Sequence, residues 1–214
     1  MNNSVAERLF TVAGGLLTGV FIGAVVFGGA DWMYDENAPM ELTQMVWLAI
    51  ASCIFALSYK QQSTGVLRWL TLGSVLLSLS FLLRELSLKN IAPDWVVYWT
   101  DGTGFRILML AVWIPWLSRV KKNWSELWQL VHDMLFTRTS FRLVVSAACL
   151  IAGGVFDKEI FRPELFRFYE ELLELNGYIA LTLAALSLPM ELALLTRPGR
   201  AVSQTPDVIN SHYL

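Results

Sequence analysis

The sequence predicts an all-α integral membrane protein: about six transmembrane helices in one bundle, plus an amphipathic surface helix between the fourth and fifth spans. Three observations predict it. Hydrophobic residues make up 55% of the 214 residues and charged residues only 16%, against about 25% charged in ordinary soluble domains. The apolar residues come in long runs, and a run of roughly 18 or more is long enough to cross a bilayer. The charges that remain fall mostly in the segments between the runs and near the ends of the runs, and they segregate by sign. At this length one helical domain, residues 1–197, is expected, followed by a polar tail at 198–214 containing Pro198 and Pro206.

The first run covers residues 9–29. It is too long for a typical leader core and has only Arg8 beside Glu7 as a basic flank, so it reads as a span and not as a cleaved leader. Spans two and three are expected at residues 42–59 and 69–88. Span four, residues 105–120, is shorter and contains Pro115; span five covers 141–155. Span six covers 169–196 and contains Pro189. Proline is tolerated in such helices when neighbours satisfy the freed carbonyl. Between spans four and five, Trp124, Leu127, Trp128, Val131, Met134 and Leu135 recur at helical spacing with polar residues opposite. That pattern suits a helix lying in the headgroup layer.

Orientation follows from the basic residues. Connections on one side hold ten of them: Arg8, Lys60, Arg68, Arg119, Lys121, Lys122, Arg138, Arg142, Arg197 and Arg200. The other side holds six and thirteen of the eighteen acids. The basic side is expected in the cytoplasm, with both termini there. A bacterial inner membrane is the expected location. Net charge is −2 at pH 7 and there is no basic patch of the kind that binds nucleic acid.

Gly15, Gly19 and Gly23 lie four residues apart and share one face of span one. Small residues at this spacing let a second backbone approach closely, within the chain, in a homo-oligomer or in a partner membrane subunit. The carboxylates at the outer ends of the spans carry the expected chemistry. Glu171 and Glu174 open span six on one face, with Tyr178 between them in projection and Glu170 adjacent. Glu85 ends span three on the face of Thr71, Ser74 and Ser78, and Asp157 ends span five. Asp101 precedes span four, while Glu41 and Gln44 open span two. Charge inside a membrane is expensive unless it is paired. Glu85, Asp157, Glu171 and Glu174 are therefore expected to converge with Arg84, Arg106 or Lys158. Oxygen ligands of this kind suit a divalent cation, with Glu85, Asp157 and Glu174 as the candidate metal set, and crowded carboxylates also suit proton exchange.

Asp101-Gly102-Thr103-Gly104-Phe105-Arg106 resembles the start of the CDP-alcohol phosphotransferase signature. That family continues with a glycine and two further aspartates, and residues 107–115 contain neither. The two histidines, His132 and His212, are isolated, so no haem or histidine-based zinc site is expected; Cys53 and Cys149 read as buried free thiols. Three classes of function remain. The acid site holds a cation, a proton or a cationic ligand, with transport as one version. The same acids serve an enzyme acting on a lipid or lipid-linked substrate. Or the chain is a structural subunit that docks through its glycine face.

Overall fold

The computed structural model describes residues 3–35, 38–62, 65–86, 92–100, 102–158 and 163–195. The chain forms α1 (Asn3–Val26), a 3-10 turn (Asp31–Tyr34), α2 (Pro39–Gln61), α3 (Val66–Glu85), α4 (Asp94–Thr100), α5 (Thr103–Lys122), α6 (Trp124–Met134), α7 (Arg138–Asp157) and α8 (Phe166–Leu195). There is no strand among the described residues.

Helix boundaries follow local chemistry. α1 stops where Gly29 takes φ +61°, a left-handed conformation that glycine adopts without a Cβ penalty, and the Ala30 N–H turns back onto the Ala24 carbonyl at 3.2 Å. Pro39 opens α2 at the first helical position, where its missing N–H costs nothing. The Thr137 hydroxyl caps α7 by accepting from the Ser140 N–H. α5 and α8 both continue through their prolines, Pro115 and Pro189.

Among the described residues five segments are long and apolar enough to cross a membrane: Ser4–Val26, Asp31–Gln61, Val66–Glu85, Arg138–Asp157 and Phe166–Leu194. By length and composition these are the helices of a multi-pass membrane protein. The expected fourth span departs from this set. α5 is 20 residues long, but Arg106, Arg119, Pro115, Trp113 and Trp116 dilute its apolarity below that of the other five.

α8 is the axis of the bundle. Two thirds of its span is buried inside the protein (67%), against 39% for α2 and 17% each for α1, α3 and α7. α7 packs most extensively on α8, followed by α2 on α3 and α2 on α8. The core is built from Trp47, Leu48 and Phe55 of α2 with Leu175, Tyr178, Leu181, Leu188 and Leu192 of α8. The outer helices turn apolar side chains such as Leu16, Val20, Leu110 and Ile151 outward. In a bilayer such exposure carries no hydrophobic cost, and cohesion comes from close packing and interhelical hydrogen bonds.

Several of those bonds are present. The indole N–H groups of Trp113 and Trp116 donate to the Ser80 hydroxyl and the Trp69 carbonyl, which fastens α5 along α3. A Cβ at Gly73 would meet the Trp116 ring at 2.3 Å, so this glycine admits the indole. Thr182 donates to the Trp47 carbonyl, and Thr18 to Asn176.

Among the described residues nothing packs closely against the glycine ladder. A Cβ at Gly15, Gly19 or Gly23 would meet no atom within 4 Å, whereas one at Gly14 would meet Ile179 at 2.7 Å. α1 therefore rests on α8 through the neighbouring face. Cys53 is exposed on the bundle's outer surface and Cys149 is half-buried, which corrects the expectation that both thiols are buried. α6 carries Trp124 and Trp128 exposed and stacked at 6.0 Å, while Met134 is buried in the core.

Candidate functional site

α3 ends and α8 begins at the same end of the bundle, and their acids meet there. Glu85 and Glu174 are buried, at 7% and 3% exposure. The Arg84 guanidinium joins them, donating to Glu85 Oε1 at 3.1 Å and to Glu174 Oε1 at shorter range. The Tyr178 hydroxyl, fully buried one turn along α8, donates to the same Glu85 oxygen at 2.7 Å. α2 reaches the cluster through Gln44, whose amide donates to the Glu171 side chain at 2.8 Å and its carbonyl at 3.0 Å. A Cβ at Gly153 would lie 3.0 Å from Glu174 Cγ, so the bare backbone of α7 leaves room for the Glu174 stem.

The structure thus brings Glu85, Glu171, Glu174, Tyr178 and Arg84 together and leaves other candidates at the periphery. Asp157 is exposed at the end of α7, where it adds negative potential at Glu170 and Glu174 without a bond to either. Among the described residues Arg106 and Lys158 are exposed and form no ion pair, so Arg84 is the partner of the cluster. Asp101 and the tail at 198–214 lie outside the described residues. No group of three or more Asp, Glu, His or Cys side chains among the described residues is placed to hold a metal ion. Of the set Glu85, Asp157 and Glu174, the first and last share the Arg84 guanidinium, while Asp157 is exposed at the end of α7.

The inward polar stripe of α3 has a local explanation. Thr71, Ser74 and Ser78 donate to carbonyls four residues back in their own helix, at 2.7, 3.2 and 3.0 Å. Hydroxyls committed in this way fill space without lining a polar path.

Two buried acids lie at the opposite end of the bundle, outside the expected site, although Glu191 already stands out in the sequence as a polar residue in the cytoplasmic half of span six. Glu7 pairs with Arg142 at 3.0 Å, and Arg142 also donates to the Leu183 carbonyl at 2.8 Å. Glu191 accepts from the backbone N–H groups of Arg138 and Thr139, closing the start of α7 from across the helix pair. The available signal was position: Glu7 and Glu191 are the acids set against apolar runs on the otherwise basic side. A cavity of about 160 Å³ at that end, bordered by Phe55, Met134 and Leu188, is lined by apolar and hydroxyl side chains and contains no ionisable group.

No protein-family model, curated protein or solved structure matches this chain. The functional reading therefore rests on the chemistry of the site.

Proposed function

We propose that the chain is a multi-pass inner-membrane protein whose cluster binds a proton or a small monovalent cation from the outer face. Glu171 and Glu174 are the receiving groups in this reading, and Arg84 is a fixed counter-charge. One observation carries it: Glu85 and Glu174 share the guanidinium of Arg84, and Glu171, held by Gln44, adds a third carboxyl group beside them with no guanidinium of its own among the described residues. Buried charge of one sign in such excess is costly in a membrane protein, and a bound proton or cation offsets it. A divalent metal is disfavoured because the Arg84 guanidinium already neutralises Glu85 and Glu174 through one oxygen of each. Binding is favoured over transport because the stripe of α3 is satisfied within its own helix. Thr182, the next polar group along α8, is bonded to the Trp47 and Tyr178 carbonyls.

The test is proton uptake by the full chain in lipid vesicles, followed with a pH-indicator dye as alkaline buffer is acidified, with and without sodium or potassium. The wild type is expected to take up a proton equivalent that Glu171→Gln lacks, or to exchange it for the added cation. Identical uptake by both, unaffected by either salt, overturns the reading.

The orientation belongs to the same proposal. α5 lies along α3 and crosses with it, giving six crossings and both termini in the cytoplasm. A reporter active only outside the cytoplasm should be silent after Leu214 and active within residues 31–40. Activity at Leu214 would mean five crossings, with the termini on opposite sides.

A further inference from the structure

At the end of the bundle remote from the acid cluster, α1, α7 and α8 border an open groove of about 640 Å³. Its walls are apolar, from Phe141, Val145 and Leu183, and its polar groups are Thr11, Thr137, Arg138 and Arg142. We infer that this groove holds an anionic phospholipid, with the headgroup phosphate on the guanidinium groups of Arg138 and Arg142 and an acyl chain along Phe141, Val145 and Leu183.

Arg138 is the first residue of α7, a helix of 20 residues that is about 30 Å long and so matches a bilayer core. Its first turn therefore lies at headgroup depth. Aromatic side chains mark the same level: Phe136 is 94% exposed and Phe141 69%, and Trp124 and Trp128 of α6 are exposed just before them. Aromatic rings are enriched at this boundary, and basic pockets between helices at a membrane face recognise phosphate-bearing lipids.

Charge complementarity selects the occupant. The last turn of α5 adds Arg119, Lys121 and Lys122 at this end. The acids here are largely committed. Glu191 is taken up by backbone N–H groups and Glu7 Oε2 by Arg142, leaving exposed Glu126 and Asp133 on α6. Because Glu191 already accepts from the first amides of α7, the recognition belongs to the guanidinium side chains and not to the helix terminus. Arg142 has N–H groups beyond the two that bond Glu7 and Leu183, and the Arg138 side chain is exposed. Glu7 Oε1, on the carboxylate that pairs with Arg142, is buried with no hydrogen-bond partner among the described residues.

The full chain is reconstituted in equal phosphatidylglycerol and phosphatidylcholine, extracted in mild detergent, and weighed by native mass spectrometry with its retained lipid. The wild type should retain phosphatidylglycerol over phosphatidylcholine. Arg138→Gln should lower that preference about fivefold, the effect of one basic residue at a membrane surface. Arg138→Lys should keep most of it, and so should Arg106→Gln, whose arginine opens α5 at the other end. Equal retention of the two lipids by the wild type overturns the inference. An Arg106→Gln loss matching that of Arg138→Gln also overturns it, because it would reduce the preference to net charge.

Discussion

Replacing Arg84 with leucine should destabilise the protein by about 3 kcal/mol, the low end of the range for leaving buried charge without its partner. The low end applies because the Arg84 side chain is itself 49% exposed, whereas those of Glu85 and Glu174 are 7% and 4% exposed. Without the guanidinium, two buried carboxylates confront each other, and among the described residues the Tyr178 hydroxyl is the one remaining side-chain donor to either. Reversible unfolding in mixed micelles, followed by circular dichroism, measures the loss. The mechanism makes a second demand. In the Arg84→Leu background, Glu85→Gln together with Glu174→Gln should recover most of the lost stability, because the charge excess disappears while the shapes remain. If the triple variant is as unstable as Arg84→Leu alone, then the packing of the long arginine stem, and not its charge, holds this end of the bundle together.

The second large effect is expected at Gly177. A Cβ there would lie 2.9 Å from both Cγ and Cδ2 of Leu150 and 3.3 Å from the Ser146 carbonyl oxygen. Leu150 is held by the α7–α8 interface, the most extensive in the protein, and the Ser146 oxygen is backbone. Gly177→Leu must therefore spread the two helices. Overpacking of this kind costs about 1–3 kcal/mol, and the upper end applies where backbone sets the limit. Gly177→Ala should cost less, since the Leu150 side chain can yield by a few tenths of an ångström. The displacement should also reach the acid cluster, because Glu174 and Tyr178 lie within one turn of Gly177 on α8. Micelle unfolding of both variants, with proton uptake measured on each, checks the link. A fully stable Gly177→Leu would mean that the helices do not approach this closely in the membrane.

Much of this architecture is legible from the sequence by itself. Apolar runs of bilayer length determine which segments become long helices, because length and composition are local properties that need no partner. The same holds for the amphipathic period of α6 and for the phase that puts Glu171 and Glu174 on one face of α8. Glu85 could be placed with Thr71 and Ser78 by the same arithmetic, and all three are buried.

What the sequence could not contain is the choice of neighbour. The spacing of Gly15, Gly19 and Gly23 marks a face capable of close approach, yet the approach within the chain is made at Gly14, Gly73 and Gly177, which carry no repeat. A small residue matters only where a second helix arrives, and the rotation of each helix about its own axis is decided by the whole bundle. Charge pairing follows the same rule. Arg84, Arg106 and Lys158 were equivalent as cations near one membrane face, and tertiary structure selected Arg84 because α3 sets it against α8 while the other two point outward. Glu7 and Arg142 are separated by 135 residues, and only the packing of α1 beside α7 and α8 brings their opposite charges together.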